Sequence, residues 1–443
     1  MARADRPALS EGQADRREQT RRSVEAVWRI ESARIVGALA RYTGDFSMAE
    51  DAAQEAFAEA LVAWARDGRP ANPGGWLLTT ARRRAIDTLR RRTTLDQRYA
   101  ALAGELAEGQ TTSGGPARTD LPWDPDRIDD DVLTLIFVSC HPVLSREAQA
   151  ALTLRVVAGL TSEQIARAFL VPVPTVQARI TRAKKTIAAA GVRFEVPGAE
   201  QRGERLAGVL SVLYLIFTEG STASTGADLL RPDLAQEAIR LTRVLARLLA
   251  RSKTSKTAEP EVYGLLALME LTAARFPART GPDGEAVLLE HQDRRRWDRA
   301  AIRRGRAALA QATSAGLGPY GLQAAIAECH AVAPSVERTD WNRIVLLYEA
   351  LSRIAPSPVV DLNRAVAVAM ASGPLTALGI VDELVAADRL AGSHLLPSVR
   401  GELLRRLGRD EEARAELLLA ARLCGNDRER ELLERKAAEL PHS

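Results

Sequence analysis

Met48–Arg92 reads MAEDAAQEAFAEALVAWARDGRPANPGGWLLTTARRRAIDTLRRR. Two helical patterns flank a loop rich in Pro and Gly. In the first, Ala49, Ala52, Ala53, Ala56, Phe57, Ala60, Leu61 and Trp64 recur at helical spacing. Ser47 with Glu50 three residues on matches a capping box for its start. Its other side carries Glu50, Asp51, Gln54, Glu55 and Glu59. Asp51, Glu55 and Glu59 stand four apart and form one ridge, which costs a few tenths of a kcal/mol per like-charged pair. The second pattern opens at Trp76. Leu77, Leu78, Ala81, Ala85, Ile86 and Leu89 form its apolar side, and Arg82, Arg83, Arg84, Arg90, Arg91 and Arg92 crowd the rest. An acidic ridge is either a solvated face or a contact for a basic partner. The arginine face suits solvent or phosphates, and the aromatic at its entry favours an unpaired nucleic-acid strand, where stacking and cationic contacts act together.

The chain has 443 residues and a formal charge of only +4. Its length predicts two to four domains. Its Leu/Ala/Arg-rich composition and long 3.6-residue periods predict an all-α protein. Charge is unevenly spread. Residues 1–92 hold 17 Arg and 13 Asp+Glu; residues 93–131 hold three Arg and nine acids; residues 132–195 hold eight Lys+Arg and three Glu. Two basic modules separated by an acidic linker suit a polyanion touched at two places.

In chain order, residues 1–23 read as a disordered polar tail. Val24, Val27, Trp28, Ile30, Ile35, Val36 and Leu39 predict a helix ending at Thr43-Gly44. Residues 24–92 then form the first module, and the Gly/Thr/Asp-rich stretch 93–131 reads as a flexible linker. Residues 132–195 read as a helical bundle. Val132–Val138 leads to Cys140-His141-Pro142, Ser145 caps the next helix, and Thr161 with Gln164 forms a capping box. After LVPVP, a last helix sets Val176, Ile180, Ala183 and Ile187 on one side. Thr175, Gln177, Arg179, Arg182, Lys184 and Lys185 occupy the others, with no acid among them. A short turn before a basic helix is helix-turn-helix logic, with the second helix entering the major groove.

Residues 196–443 read as helix after helix: 207–218, 232–250, 262–275, 297–312 and 321–331. A repeat then sets in. With Ala413 at the small position, Gly401, Leu404, Leu407, Leu417 and Ala420 fall on repeat positions, and Ala377 takes the same role 36 residues upstream. Such pairs stack into a solenoid whose concave side binds peptides or proteins, or serves only as a stack.

Cys140, Cys329 and Cys424 are far apart, so neither a disulfide framework nor a zinc site is expected, and Cys140 with His141 reads as packing. No cofactor or metal is predicted. Glu290, His291, Asp293 and Asp298 lie among Arg294, Arg295 and Arg296, so ion pairing accounts for them. No nucleotide loop or nucleophile elbow is present, and no enzyme is expected. No apolar signal segment or membrane span is read, which points to a cytoplasmic protein.

Together these stretches resemble bacterial sigma-70 family factors of the extracytoplasmic-function type. The likeness rests on AEDAAQEAF (49–57), WLLTTARRRAIDTLRRR (76–92) and LTLRVVAGLTSEQIARAFLVPVPTVQARITRAKKTI (152–187). It implies sigma region 2 in residues 24–92 and sigma region 4 in 132–195. The partners implied are RNA polymerase core, through the largest-subunit clamp helices and the beta-subunit flap, and promoter DNA. Carried over by position, Asp51, Gln54 and Glu55 meet the clamp. Trp76, Arg82, Arg83, Arg84, Arg90, Arg91 and Arg92 meet the melted −10 strand. Thr175, Gln177, Arg179, Arg182, Lys184 and Lys185 meet the −35 duplex. The family often has Gly before Thr175; here it is Pro174, which a first helical turn accepts. IFVSCHPVLSREAQAALTLR (136–155), YLIFTEG (214–220), LLEHQDRRRWD (288–298) and GPYGLQAAIAECHA (318–331) resemble a subgroup with a long C-terminal extension of TPR (tetratricopeptide repeat)-like helices. The rival reading is a helix-turn-helix activator with a TPR-like sensor. The acidic ridge and the 76–92 helix argue against it, since an activator needs neither.

Overall fold

A computed structural model describes residues 11–104, 128–169, 171–221, 230–251, 259–281, 285–314 and 316–441. Among them every regular element is a helix, apart from two 3-10 turns and a single bridge between Thr280 and Ala286. The chain divides into two compact units, with the boundary inside one helix, at Val212.

In the first unit, α1 (Glu11–Thr43), α2 (Phe46–Asp67) and α3 (Pro73–Gly104) pack on one another, and α1 also packs on α4 (Ile128–Ser139). Val24, Trp28, Ile35, Val36 and Leu39 are buried as their spacing predicts, and Trp28 meets Phe57 with ring centroids 5.0 Å apart. Full burial of one such side chain contributes about 1.5–3 kcal/mol. Ile30 departs from the expectation: it is 67 % exposed. The small face of α2, Ala49, Ala52, Ala53, Ala56 and Ala60, is buried, which lets neighbouring helices approach closely.

Several helix ends correct the sequence reading. The helix expected from Val24 already runs at Glu11, so residues 11–23 are helical rather than part of a tail. Asp45, not Ser47, caps α2, accepting from Met48 N at 2.9 Å. Helix α3 begins three residues before Trp76, where Asn72 accepts from Gly75 N, and continues twelve residues past Arg92 into the expected linker. Of the rest of that linker, 105–127 lies outside the described residues, as does the start of the expected tail, while 128–131 form the first turn of α4 rather than linker.

α5 (Arg146–Val156), α6 (Ser162–Phe169) and α7 (Val173–Ala189) follow. Ser145 caps α5. Both halves of the second capping box form: Thr161 N donates to Gln164 Oε1 at 2.9 Å, and Gln164 N to Thr161 Oγ1 at 3.2 Å. Val176, Ile180, Ala183 and Ile187 are all buried, and Pro174 sits in the first turn of α7.

The second unit begins within α8 (Ala199–Ser221). α9 (Pro232–Arg251), α10 (Pro260–Ala273), a one-turn α11 (Phe276–Arg279), α12 (Arg299–Thr313) and α13 (Pro319–Val332) come next. α10 lies against α9, α12 and α13. It meets α13 glycine to glycine: a Cβ on Gly264 would stand 2.7 Å from Gly321 N, so no other residue permits that approach. Then α14 (Trp341–Ile354), α15 (Pro358–Ala371), α16 (Pro374–Ala386), α17 (Leu395–Arg406), α18 (Asp410–Leu423) and α19 (Asp427–Ala438) pack mainly on their chain neighbours. Gly401, Leu404, Ala413, Leu417 and Ala420 are buried at the α17–α18 contact, with Leu407 half-buried against the same core.

Candidate nucleic-acid and polymerase interface

α7 presents a polar surface because its apolar residues recur every three or four positions and face α5. Gln177, Arg182 and Lys185 are exposed, and Thr175 and Arg179 are half-buried. Arg182 Nε bonds the Ala178 carbonyl at 3.3 Å, which stands its guanidinium along the helix. Lys184 does not join this face. Its ammonium lies 2.7 Å from Glu50 Oε2 and 2.5 Å from Asp51 Oδ1, both on α2. Burial disfavours the Lys184 charge, but Glu50 and Asp51 more than offset this and hold its pKa above the ordinary value.

The same place on α2 receives a second cation. Arg155 of α5 donates to Gln54 Oε1 at 2.6 Å and stands 3.5 Å from Glu50 Oε1. The Glu50 side chain is 4 % exposed. Three residues expected to meet different partners are therefore held together: Asp51 and Gln54 of the polymerase set, and Lys184 of the −35 set. Glu50 and Arg155, which join them, were missed by sequence reasoning. Glu50 was assigned to a capping box that Asp45 replaces, and a lone Arg155 after Leu152 and Leu154 was the available sign of a buried pair.

Glu55 is exposed, with Arg84 Nε 3.8 Å away. Glu59 takes Arg84 at 2.7 Å and Arg83 at 3.0 Å, and Arg84, first among these causes, holds the Glu59 carboxyl below its ordinary range. Arg83 and Arg84 thus pair with the acidic ridge, while the Arg83 side chain stays 63 % exposed. Arg82 lies over the Tyr42 ring at 5.6 Å. Arg90 and Arg91 are exposed without an ion pair among the described residues. A shallow groove of about 360 Å³ is lined by Thr79, Arg82, Arg83, Ile86, Asp87 and Arg90. Trp76, half-buried, meets Trp64 edge-on at 5.8 Å. The Arg92 side chain lies outside the described residues.

Other candidates behave as packing or pairing groups. The Cys140 thiol is pushed up to about 11 by burial and sits 3.3 Å from Thr153 Oγ1. His141 is lowered, first by burial. Asp293 pairs with Arg295 at 3.0 Å, and Asp298 caps α12. His394, Cys424 and Glu429 bring donor atoms within 4.8 Å of one another. There His394 and Glu429 stand 3.4 Å apart, and the Cys424 thiol donates to the Asn426 carbonyl at 3.5 Å.

Residues 29–94 match Sigma-70 region 2, and residues 134–187 match Sigma-70, region 4. The chain belongs to the sigma-70 family. As a sigma factor it has a role in promoter recognition by RNA polymerase, and its partners are the polymerase core and promoter DNA. Residues 205–313 match a family of unknown function, DUF6596. The sigma factor is 45 % identical over 392 residues to an uncharacterized protein of Rhizobium meliloti (strain 1021), covering 88 % of this chain and 89 % of that one. No solved structure matches. No helix among the described residues is long and apolar enough to cross a membrane.

Proposed function

We propose that this sigma factor is of the extracytoplasmic-function type and exists in a closed form that opens when it docks on polymerase. Lys184 bound to Glu50 and Asp51 carries the reading. Asp51, Gln54 and Glu55 serve as the clamp-helix contact, and two of the three are occupied by region 4. Arg155 and Lys184 stand where the clamp's basic residues bind once region 4 has moved away. Trp76, Arg82, Arg90 and Arg91 grip the melted −10 strand, with Arg92 beside them in sequence. Thr175, Gln177, Arg179, Arg182 and Lys185 read or clamp the −35 duplex, where base-edge and phosphate contacts divide the work.

The C-terminal half acts as a regulatory extension of TPR-like helical pairs. Its support is the succession of paired helices from α14 to α19 and the close α17–α18 contact at Gly401 and Ala413. A protein or peptide partner and the nucleoid, within the holoenzyme, complete the reading. Run-off transcription with purified core polymerase lacking any other sigma subunit tests it. Initiation at a specific promoter is expected; activation only in the presence of a second sigma would establish the activator reading instead. Deleting the extension is expected to change transcriptional output while leaving core binding intact.

A further inference from the structure

Buried charges in the second unit are matched almost everywhere. Glu270, 2 % exposed, takes Arg243 and Arg304; Glu219 takes Arg231; Glu237 takes Arg240. Among the described residues, a cluster of basic groups departs from this pattern. Arg275 follows α10, Arg279 ends α11, Arg294 opens the second 3-10 turn, and His330 lies near the end of α13. These four basic side chains act on one another electrostatically. Arg279 and Arg294 both push on the charge of Arg275, and Arg275 and Arg294 both push on His330. No carboxylate among the described residues forms an ion pair with any of them. Glu429 favours the charge of Arg279, and Glu337 that of Arg294, only from beyond ion-pair distance.

Two of the arginines are fixed by carbonyls. Arg279 Nη1 donates to Ser221 O at 2.5 Å. Arg294 Nη1 donates to His330 O and Ala333 O, each at 2.7 Å, with its guanidinium over the Trp297 ring at 4.5 Å. Its Nη2 is buried with no partner, and so is Nδ1 of His330. The Arg275 side chain has no hydrogen bond or ion pair with any described residue. Burial first, then Arg279 and Arg294, push its pKa down to about 10, while burial, Arg275 and Arg294 push His330 down to about 4. Arg275 is only half-buried by area, so solvent ions reach it.

Like charges held together in a desolvated recess are costly unless an opposite charge joins them. Guanidinium forks present paired donors that match the oxygens of a carboxylate or a phosphate. We infer that Arg275, Arg279, Arg294 and His330 form a binding site for a small oxyanion, a phosphate or carboxylate group, inside the C-terminal extension. Arg279 and Arg294 are held in place before the ligand arrives, and Arg275 is the arm left unengaged for it. This site is separate from the promoter-binding surfaces and does not depend on the roles proposed for them.

The test uses the full-length protein in chloride buffer at constant ionic strength. Thermal melting is followed while inorganic phosphate, or in a second series succinate, replaces chloride. A saturable rise of several degrees is expected with at least one of the two, and the one that acts tells a phosphoryl from a carboxylate ligand. Arg275→Gln is expected to lose this response and, in chloride alone, to melt no lower than the native protein because a repulsion has gone. Arg275→Lys, which keeps the charge without the fork, should respond weakly. An equal response in native protein and Arg275→Gln would place the anion at the DNA-binding arginines and overturn the inference. So would the absence of any response in the native protein, or a lower melting point of Arg275→Gln in chloride, which would make Arg275 a structural residue.

Discussion

Replacing Lys184 by Met keeps its stem and removes its charge. The loss strands Asp51 in solvent, where it is harmless at 62 % exposure, and leaves Glu50 with Arg155 alone at 3.5 Å. Exposed pairs contribute up to about 1 kcal/mol, and breaking a fully buried pair costs about 3–5. Lys184 at 13 % and Glu50 at 4 % side-chain exposure lie toward the buried end, but Arg155 still partners Glu50, so about 2 kcal/mol is reasonable. If those contacts exist only in the closed form, the open fraction rises roughly 30-fold while it stays small. A partner that binds only the open form then gains apparent affinity by the same factor. The assay is fluorescence anisotropy of labelled protein against core polymerase without DNA, so that any role of Lys184 on DNA is silent. A gain of about 10-fold or more supports the closed form. Unchanged or weaker binding by a variant that still folds would refute the reasoning, because it would show that the α2–α7 pairing does not compete with docking.

Arg179→Ala and Arg182→Ala are each expected to weaken promoter binding by about 1–3 kcal/mol in filter-binding or anisotropy titrations, while core binding stays unchanged. Gly159→Ala should destabilise the first unit by at least about 1 kcal/mol in urea titration, since φ is +70° and the new Cβ would stand 2.6 Å from Ser32 Oγ and 3.2 Å from Arg29 Cα. His330 gives a pH signature. Its folded pKa of about 4 lies below the ordinary 6.5, so the unfolded chain takes up the proton first as pH falls. The stability tied to neutral His330 is complete above about pH 6.5 and disappears by about pH 4, up to about 3 kcal/mol in all. His330→Gln should flatten that part of the stability curve in phosphate-free buffer.

The helical class and the apolar faces were legible because they depend on local spacing. Val176, Ile180, Ala183 and Ile187 could hardly face anywhere but inward once their period was read, and Thr161 with Gln164 capped α6 as the pattern said. Helix ends were less legible, since caps compete: Asp45 won over Ser47, and α3 continued past the arginines with no breaker to stop it. The ion pairs were not legible at all. Lys184 meets Glu50 across 134 positions of sequence, and no periodicity carries information over that distance. The pairing of Arg83 and Arg84 was hidden for the same reason. A cation beside an apolar stripe carries no sign of the carboxylate, Glu59, that the neighbouring helix brings to it.

The two sets of candidate contacts differ in what it takes to use them. Arg90, Arg91, Arg182 and Lys185 already stand in solvent, so phosphates reach them without any rearrangement of the unit. Glu50 and Gln54, and the paired oxygen of Asp51, are freed for another partner only when Lys184 and Arg155 let go. A partner that lacks complementary cations would leave Glu50 uncompensated in a dry place, which costs several kcal/mol. A partner that supplies them replaces one set of pairs by another at little net cost. On the proposed reading the closed form discriminates by charge: a basic protein surface can replace Lys184 and Arg155 on Glu50, Asp51 and Gln54, whereas DNA, a polyanion, cannot, so docking on polymerase would come first and separate regions 2 and 4 for their two promoter elements.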